Sequence, residues 1–124
     1  TPATLADLPA GAGVGTASLR RQAIVKSLRP DLNVTVIRGN VGTRLAKLAA
    51  GEVDASLLAR AGLNRLNMTD VAYHQMSIED MLPAAAQGIV GVEIRANDSR
   101  LQTLLAPCNC AITELSLVAE RAFL

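Results

Sequence analysis

The sequence predicts an α/β fold with a mainly parallel sheet flanked by helices. Half of the 124 residues are hydrophobic but only 2% are aromatic, so the core must be built from Ala, Val, Leu and Ile. That composition is typical of a sheet covered by helices. Up to Leu66, short strand-like runs alternate with helical segments. Because this β-α-β-α order favours parallel strands joined by right-handed crossovers, the fold class follows from pattern and composition together.

The predicted strands of the first half are short runs rich in β-branched or apolar residues, bounded by turn residues. They cover residues 14–16, 33–38 and 53–58. Helices are predicted to follow them over residues 19–28, 41–50 and 61–66. Ser18 and Asn40 are suitable N-caps, Pro30 cannot continue the first helix, and Gly51 suits the position after the second.

The second half is less regular. Strands are predicted at residues 71–76 and 89–95, a helical turn at 77–82, and helices at 99–106 and 111–124. The stretch 83–88, PAAAQG, breaks the pattern and is predicted to be a hinge. Since the chain begins without Met and stops inside a predicted helix, we expect it to be a fragment or a processed product.

The stretch 11–21, GAGVGTASLRR, predicts an anion site at the start of the first helix. Glycines allow backbone amides to approach a ligand, helix N-termini attract anions, and arginine forks suit carboxylates. The alternative is an ordinary β-turn-α connection with a solvated helix face. Because no Gly-Lys-Ser/Thr follows, the stretch is not a Walker A loop.

Arginines recur at successive strand-to-helix junctions. Arg20 and Arg21 follow the first predicted strand, Arg38 ends the second, Arg44 lies early in the next helix, and Arg60 and Arg65 follow the third. The carboxyl ends of parallel strands meet at one edge of a sheet, where ligands bind. Residues 1–66 hold nine Lys or Arg against four Asp or Glu, whereas residues 67–124 hold three against seven. This distribution favours a ligand that carries several carboxylates.

Other partner classes are disfavoured by the sequence. Basic runs interleaved with aromatic residues are absent, so no nucleic acid is expected. No apolar stretch of about 18 residues occurs, so we expect no membrane partner and a cytoplasmic location. Cys108, Cys110 and the distant His74 fall short of a metal-ligand set, and both cysteines are expected to be reduced and partly buried.

Seven blocks, in order, resemble the hydroxymethylbilane synthase (porphobilinogen deaminase) family. They are GTASLRR at 15–21, RPDL at 29–32, RGNV at 38–41, TRL at 43–45, AGLNRL at 61–66, LPA with QG at 82–88, and AERAFL at 119–124. The resemblance implies a transferase of tetrapyrrole (heme) biosynthesis, which condenses four porphobilinogen molecules into hydroxymethylbilane with release of ammonia. The family builds this product on a dipyrromethane cofactor covalently held by a cysteine.

The resemblance also implies roles for particular residues. Carboxylates of the cofactor and of the growing polypyrrole would be bound by Thr16, Ser18, Arg20, Arg21, Arg38 and Arg44. Arg65 and Gln87 would contribute to substrate binding. No catalytic residue is expected within this chain, and neither Cys108 nor Cys110 matches the cofactor-bearing loop. Within the predicted hinge at 83–88, Ala85-Ala86 stands where the family usually shows Val-Gly.

The family's domain plan assigns residues 1–82 to a second domain that resembles type II periplasmic binding proteins. Residues 83–88 would be a hinge, 89–110 a segment returning to the first domain, and 111–124 the start of a third. We expect the parent protein to be a monomer and the chain alone to be inactive and to self-associate through an exposed strand at 89–94. The alternative function is a non-enzymatic α/β module that binds a small organic polyanion.

Overall fold

A computed structural model describes residues 4–124 and contains a three-stranded parallel sheet. The strands are β1 (Gly13–Gly15), β2 (Asn33–Thr35) and β3 (Ala55–Ser56), in the order β2-β1-β3. In the register of the sheet, Val14 lies beside Val34 on one side and Ala55 on the other. The predicted α/β class with a parallel sheet is therefore confirmed.

Each strand is followed by a helix: α1 (Leu19–Leu28), α2 (Val41–Ala49) and α3 (Arg60–Arg65). The predicted caps of the first two helices are confirmed. Ser18 Oγ accepts a hydrogen bond of 3.3 Å from the Arg21 amide, and Asn40 Oδ1 accepts one of 2.9 Å from the Thr43 amide. Gly51, with φ +74°, takes the left-handed conformation that ends α2.

The core lies between β1 and α1. Val14, Val25 and Leu32 are completely buried there. On the other face of β1, Gly15 leaves room for two side chains, because a Cβ at this position would lie 2.5 Å from Ile37 Cδ1 and 3.2 Å from Val53 Cγ2. The glycine therefore lets Ile37 and Val53 pack directly against the strand backbone.

Two of the strands are shorter than the sequence predicts, whereas β1 has the predicted length but begins one residue earlier. The prediction at 33–38 is three residues too long at its end, and the prediction at 53–58 is two residues too long at each end. The helices agree to within one or two residues. The cause is the length of β1, to which both other strands pair. Its last hydrogen bond joins the Thr16 amide to the Thr35 carbonyl at 3.0 Å, after which the chain enters α1.

Two predicted strands, at 71–76 and 89–95, are wrong: the structure assigns no strand to either segment. Alternation of apolar and polar residues predicts an extended backbone, but a strand also needs a neighbour with free backbone groups. In the second segment Val90 is 91% exposed and Val92 is 66% exposed. Self-association through residues 89–94 would require this segment to become a strand on pairing, and it stays a prediction.

The predicted helical turn at 77–82 is reduced to one turn, in which the Met81 amide donates to the Ser77 carbonyl at 3.0 Å. The chain divides into two compact units, Thr1–Leu82 and Pro83–Leu124. The second unit holds α4 (Ser99–Leu105), a short 3-10 helix (Ala106–Cys108) and α5 (Ala111–Ala122). Within residues 83–124 no side chain is buried.

Over residues 4–124, no single helix is long and apolar enough to cross a membrane. The segments Ser99–Cys108 and Ala111–Ala122 meet that criterion only as a pair, and they are bent by 104°.

Candidate functional site

The candidate site is the carboxyl edge of the sheet, which we define as the ends of β1, β2 and β3 together with the starts of the helices that follow. All three strands are parallel, so their carboxyl ends lie along the same side. The first amides of each helix lack helical partners, and they give this edge a positive electrostatic potential.

Three arginines, Arg20, Arg21 and Arg44, lie in the first turns of helices that begin at this edge. The half-buried guanidinium of Arg21 donates to the Leu57 carbonyl, just beyond β3, at 3.4 Å. Partial burial lowers the pKa of Arg21, and the positive charges of Arg20 and Arg44 lower it further. We call these three arginines, which follow β1 or begin α1 and α2 at the carboxyl edge, the arginine cluster.

Backbone carbonyls hold the other two members of the arginine cluster in place. Arg44 Nε donates to the Gly39 carbonyl at 2.9 Å, and Arg20 Nη1 donates to the Leu82 carbonyl. A guanidinium has five N–H donors, so each of these contacts leaves four for a ligand. The side chains are therefore oriented by the protein and still able to form two-pronged bonds with carboxylates.

Within residues 4–124, no member of the arginine cluster forms an ion pair. In the part of the chain that the structure describes, the ion pairs are Arg29–Asp31 at 2.6 Å and Lys47–Glu52 at 3.7 Å. Neither pair includes a member of the cluster. Guanidinium groups without an acidic partner among residues 4–124 have the chemistry to bind an anion with more than one negative oxygen.

Thr16, Ser18 and Gln22 shape the start of α1. The fully buried Thr16 accepts a hydrogen bond from the Ser18 amide through Oγ1 at 3.2 Å, and its carbonyl accepts one from Gln22 Nε2 at 3.3 Å. Direct contact of Thr16 and Ser18 with a ligand stays a prediction. Sequence reasoning missed Gln22, because its partner is a backbone carbonyl that only the fold brings within reach.

The glycines of the stretch 11–21 do not cradle an anion, so that interpretation is wrong. The Gly11 amide donates to the Asp31 carbonyl at 3.1 Å, and the Gly13 amide donates to Asp54 Oδ2 at 2.7 Å. Both glycines lie at the amino end of β1, away from the start of α1, and Gly15 serves packing. Asp54 was also missed, because its role depends on β3 lying beside β1.

Three other predicted residues occupy different positions. Arg38 is exposed in the connection between β2 and α2, at the carboxyl edge. Arg65 is the last residue of α3, at the opposite end of that helix from the edge. Gln87 lies in the second unit, where its amide donates to the Ala84 carbonyl at 3.0 Å. Their roles in binding stay predictions.

Arg60 is the first residue of α3. Its guanidinium donates to Gln75 Oε1. The contact ties α3 to residues 71–76, a segment that the sequence had predicted to be a strand.

Among residues 4–124, the other polar groups form no second candidate site of the kinds considered from the sequence. Across the described residues, no group of three or more His, Cys, Asp or Glu side chains could hold a metal ion. Cys108 and Cys110 are free but exposed, so the expectation of partial burial is wrong. A cavity of about 430 Å³ in the first unit is lined in part by Leu28, His74 and Asp80, and by no member of the arginine cluster.

The chain is similar to known proteins over nearly its whole length. Residues 1–103 match the family model described as porphobilinogen deaminase, dipyromethane cofactor binding domain. The chain is 56% identical over 122 residues to a porphobilinogen deaminase of Nitrobacter hamburgensis. The aligned region covers 98% of this chain and 39% of the relative. It is 53% identical over 121 residues to a porphobilinogen deaminase of Nitrobacter winogradskyi, covering 98% and 38% respectively. The chain thus spans 39% or less of the length of these relatives.

Proposed function

Because this chain belongs to the porphobilinogen deaminase family, we propose that it forms the polypyrrole-binding part of a hydroxymethylbilane synthase. That transferase joins four porphobilinogen molecules into hydroxymethylbilane and releases ammonia, in tetrapyrrole (heme) biosynthesis. The observation that carries the proposal is the arginine cluster, whose charge has no acidic partner among residues 4–124.

The chemistry of the substrate fits this cluster. Each porphobilinogen unit carries an acetate and a propionate, so every addition to the growing chain brings two more carboxylates to the site. A hydrogen bond between charged groups contributes about 1.5–3 kcal/mol, and a guanidinium can form two to one carboxylate. Arg20, Arg21 and Arg44 would bind the carboxylates and hold the polypyrrole in a fixed orientation, and Arg38 would extend the site along the β2–α2 connection.

The same residues fit the dipyrromethane cofactor of the family, which also carries several carboxylates. When bound, that group supplies the primer to which porphobilinogen units are joined. The contribution of this chain is to neutralise carboxylate charge and to orient the pyrrole chain, through the arginine cluster and the start of α1. We do not assign the covalent attachment to Cys108 or Cys110, which lie near the start of α5 in the second unit.

The domain plan of the family completes the proposal. Residues 1–82 would be a domain like those of type II periplasmic binding proteins, and residues 83–88 a hinge. Residues 89–110 would return to a first domain, and residues 111–124 would begin a third. We propose a cytoplasmic, monomeric parent protein, in which Arg65 and Gln87 assist substrate binding.

Turnover in the family-length protein that carries this sequence tests the function. We expect Arg21→Gln to slow elongation about tenfold or more, because one charged hydrogen-bonding group is lost. Arg100→Gln, on the exposed face of α4, is the matched control and should elongate at the normal rate. Normal elongation by Arg21→Gln would overturn the assigned role.

The 124-residue chain alone should form no hydroxymethylbilane. If the family-length protein binds polyanions but shows no turnover, that result would favour the non-enzymatic alternative.

A further inference from the structure

We propose that Gln22 is a positioning residue, which fixes the start of α1 so that Arg20 and Arg21 present their guanidinium groups to the carboxylates of one ligand. Its side chain acts through the backbone and not by contact with the ligand. The inference rests on the proposed function only in taking the ligand of the carboxyl edge to carry several carboxylates.

Gln22 binds both ends of the turn that joins β1 to α1. Its amide donates to the Ser18 carbonyl at 2.9 Å, and its side-chain Nε2 donates to the Thr16 carbonyl at 3.3 Å. The residue therefore connects the first turn of α1 to the end of β1. Arg20 and Arg21 lie between Ser18 and Gln22 in the chain, inside the loop that these two hydrogen bonds close.

The Thr16 carbonyl depends on the Gln22 side chain. Thr16 is 0% exposed, so water does not reach this carbonyl to replace a lost donor. Among residues 4–124, Gln22 Nε2 is the donor that the structure gives it. The other polar groups of Thr16 are also occupied, because its amide donates to the Thr35 carbonyl and its Oγ1 accepts from the Ser18 amide. Loss of the Gln22 amide group leaves a buried carbonyl unpaired, and the turn must move to satisfy it.

A movement of this turn displaces the two arginines, because both lie in the first turn of α1. The Arg21 amide is bonded to the turn itself, where it donates to Ser18 Oγ at 3.3 Å. Two-pronged bonds from a guanidinium to a carboxylate need a defined orientation, and a side chain that is already oriented loses less entropy on binding. Removal of the Gln22 side chain should therefore weaken ligand binding although it removes no charge.

The same arrangement occurs in α4, which carries no member of the arginine cluster. Gln102 is the fourth residue of α4, as Gln22 is of α1, and each donates through Nε2 to the carbonyl six residues earlier. The acceptor in α4 is the exposed Ala96, at 2.8 Å. In both helices an N-cap side chain, Asp98 or Ser18, stands between donor and acceptor. Gln102 thus separates what this arrangement does for a helix from what it does for the site.

Titration calorimetry of the 124-residue chain with citrate, a simple tricarboxylate, and with porphobilinogen tests the role of Gln22. Gln22→Met keeps the length of the side chain but removes the donor. We expect its dissociation constants to rise about three- to tenfold, corresponding to one lost hydrogen bond, while circular dichroism shows a folded chain. Gln102→Met is the matched control and should bind both probes like the unmodified chain. Unchanged affinity in Gln22→Met would overturn the proposal.

A double-mutant cycle tests whether Gln22 acts through the two arginines. In the background Arg20→Gln/Arg21→Gln, adding Gln22→Met should not weaken citrate binding further. The same three- to tenfold loss in that background would show an independent effect and overturn the positioning role. If Gln22→Met does not fold, Gln22→Asn takes its place, because its amide is one methylene too short for the Thr16 carbonyl, and the same loss is expected.

The two probes distinguish failure of this inference from failure of the proposed function. Binding of citrate but not of porphobilinogen by the unmodified chain would count against the proposed function alone, and the citrate constants would still decide the role of Gln22. Binding of neither probe would overturn both.

Discussion

The carboxylate of Glu120 accepts a hydrogen bond of 2.6 Å from the amide of Ala86, whose φ is +61°. A non-glycine residue in the left-handed region costs about 1–2 kcal/mol. The Glu120 contact therefore lies at a strained position, and it supplies a hydrogen-bond partner for the amide there. Ala86 thus adopts a conformation typical of glycine although it carries a Cβ.

The first prediction is that Ala86→Gly is neutral or stabilises the chain by up to about 1 kcal/mol. Relief of the strain offsets the roughly 0.5–1 kcal/mol of backbone entropy that glycine loses on folding. Ala119→Gly, at an exposed position inside α5, is the matched control and should destabilise by about 1 kcal/mol. Urea denaturation followed by circular dichroism measures both. Equal destabilisation by the two substitutions would show that Ala86 carries no strain.

A second prediction concerns Gly15. An added Cβ would lie 2.5 Å from Ile37 Cδ1 and 2.8 Å from Ile37 Cγ1, so Gly15→Ala should destabilise the chain by about 1–3 kcal/mol. In the Ile37→Ala background those atoms are gone, and the same substitution should cost less. A double-mutant cycle from denaturation midpoints gives the coupling. Additive effects would mean that the side chain of Ile37 is not what excludes a Cβ at position 15.

The third prediction is a difference in reactivity between the two exposed cysteines. The Thr113 hydroxyl, followed by the amides of Thr113 and Ile112, lowers the pKa of Cys110. Because the thiolate is the nucleophile, iodoacetamide should modify Cys110 faster than Cys108 near neutral pH. The rate for Cys110 should also rise with pH at lower values than for an ordinary thiol. Peptide mass spectrometry of partly alkylated protein measures both rates.

Thr113→Val is the control for that experiment. It removes the hydroxyl and should move the pH dependence of Cys110 alkylation to higher pH, with the rate for Cys108 unchanged. If Cys110 keeps the same pH dependence in this variant, the Thr113 hydroxyl is not the cause of its reactivity.

The sequence predicts most of the first unit because its signals are local. Ser18 and Asn40 cap helices whose starts were predicted to the residue, and the chain order determined parallel pairing. Strand length was overestimated because it depends on β1, a neighbour of only three residues. The segments 71–76 and 89–95 carry a strand pattern, but pairing is a property of the surrounding sheet and not of the segment.

The candidate site also combines features that the sequence predicts with features that only the fold reveals. Recurrence of arginine at strand-to-helix junctions predicts that Arg20, Arg21 and Arg44 begin helices at one edge, and the parallel topology places them there; their joint binding of a ligand stays a prediction. The glycines that suggested the site serve turns and packing instead. Arg20 binding to Leu82, Gln22 binding to the Thr16 carbonyl, and Asp54 binding to the Gly13 amide involve backbone groups that become neighbours only after folding.

The central claim is that Arg20, Arg21 and Arg44 bind one acid-rich ligand together. The most direct test is a titration of the 124-residue chain with porphobilinogen, following the arginine Nε–Hε resonances by nuclear magnetic resonance. The account predicts that the resonances of these three arginines shift with a single dissociation constant, whereas that of Arg100 does not move. Shifts with different concentration dependences, or no shifts at all at millimolar ligand, would contradict it.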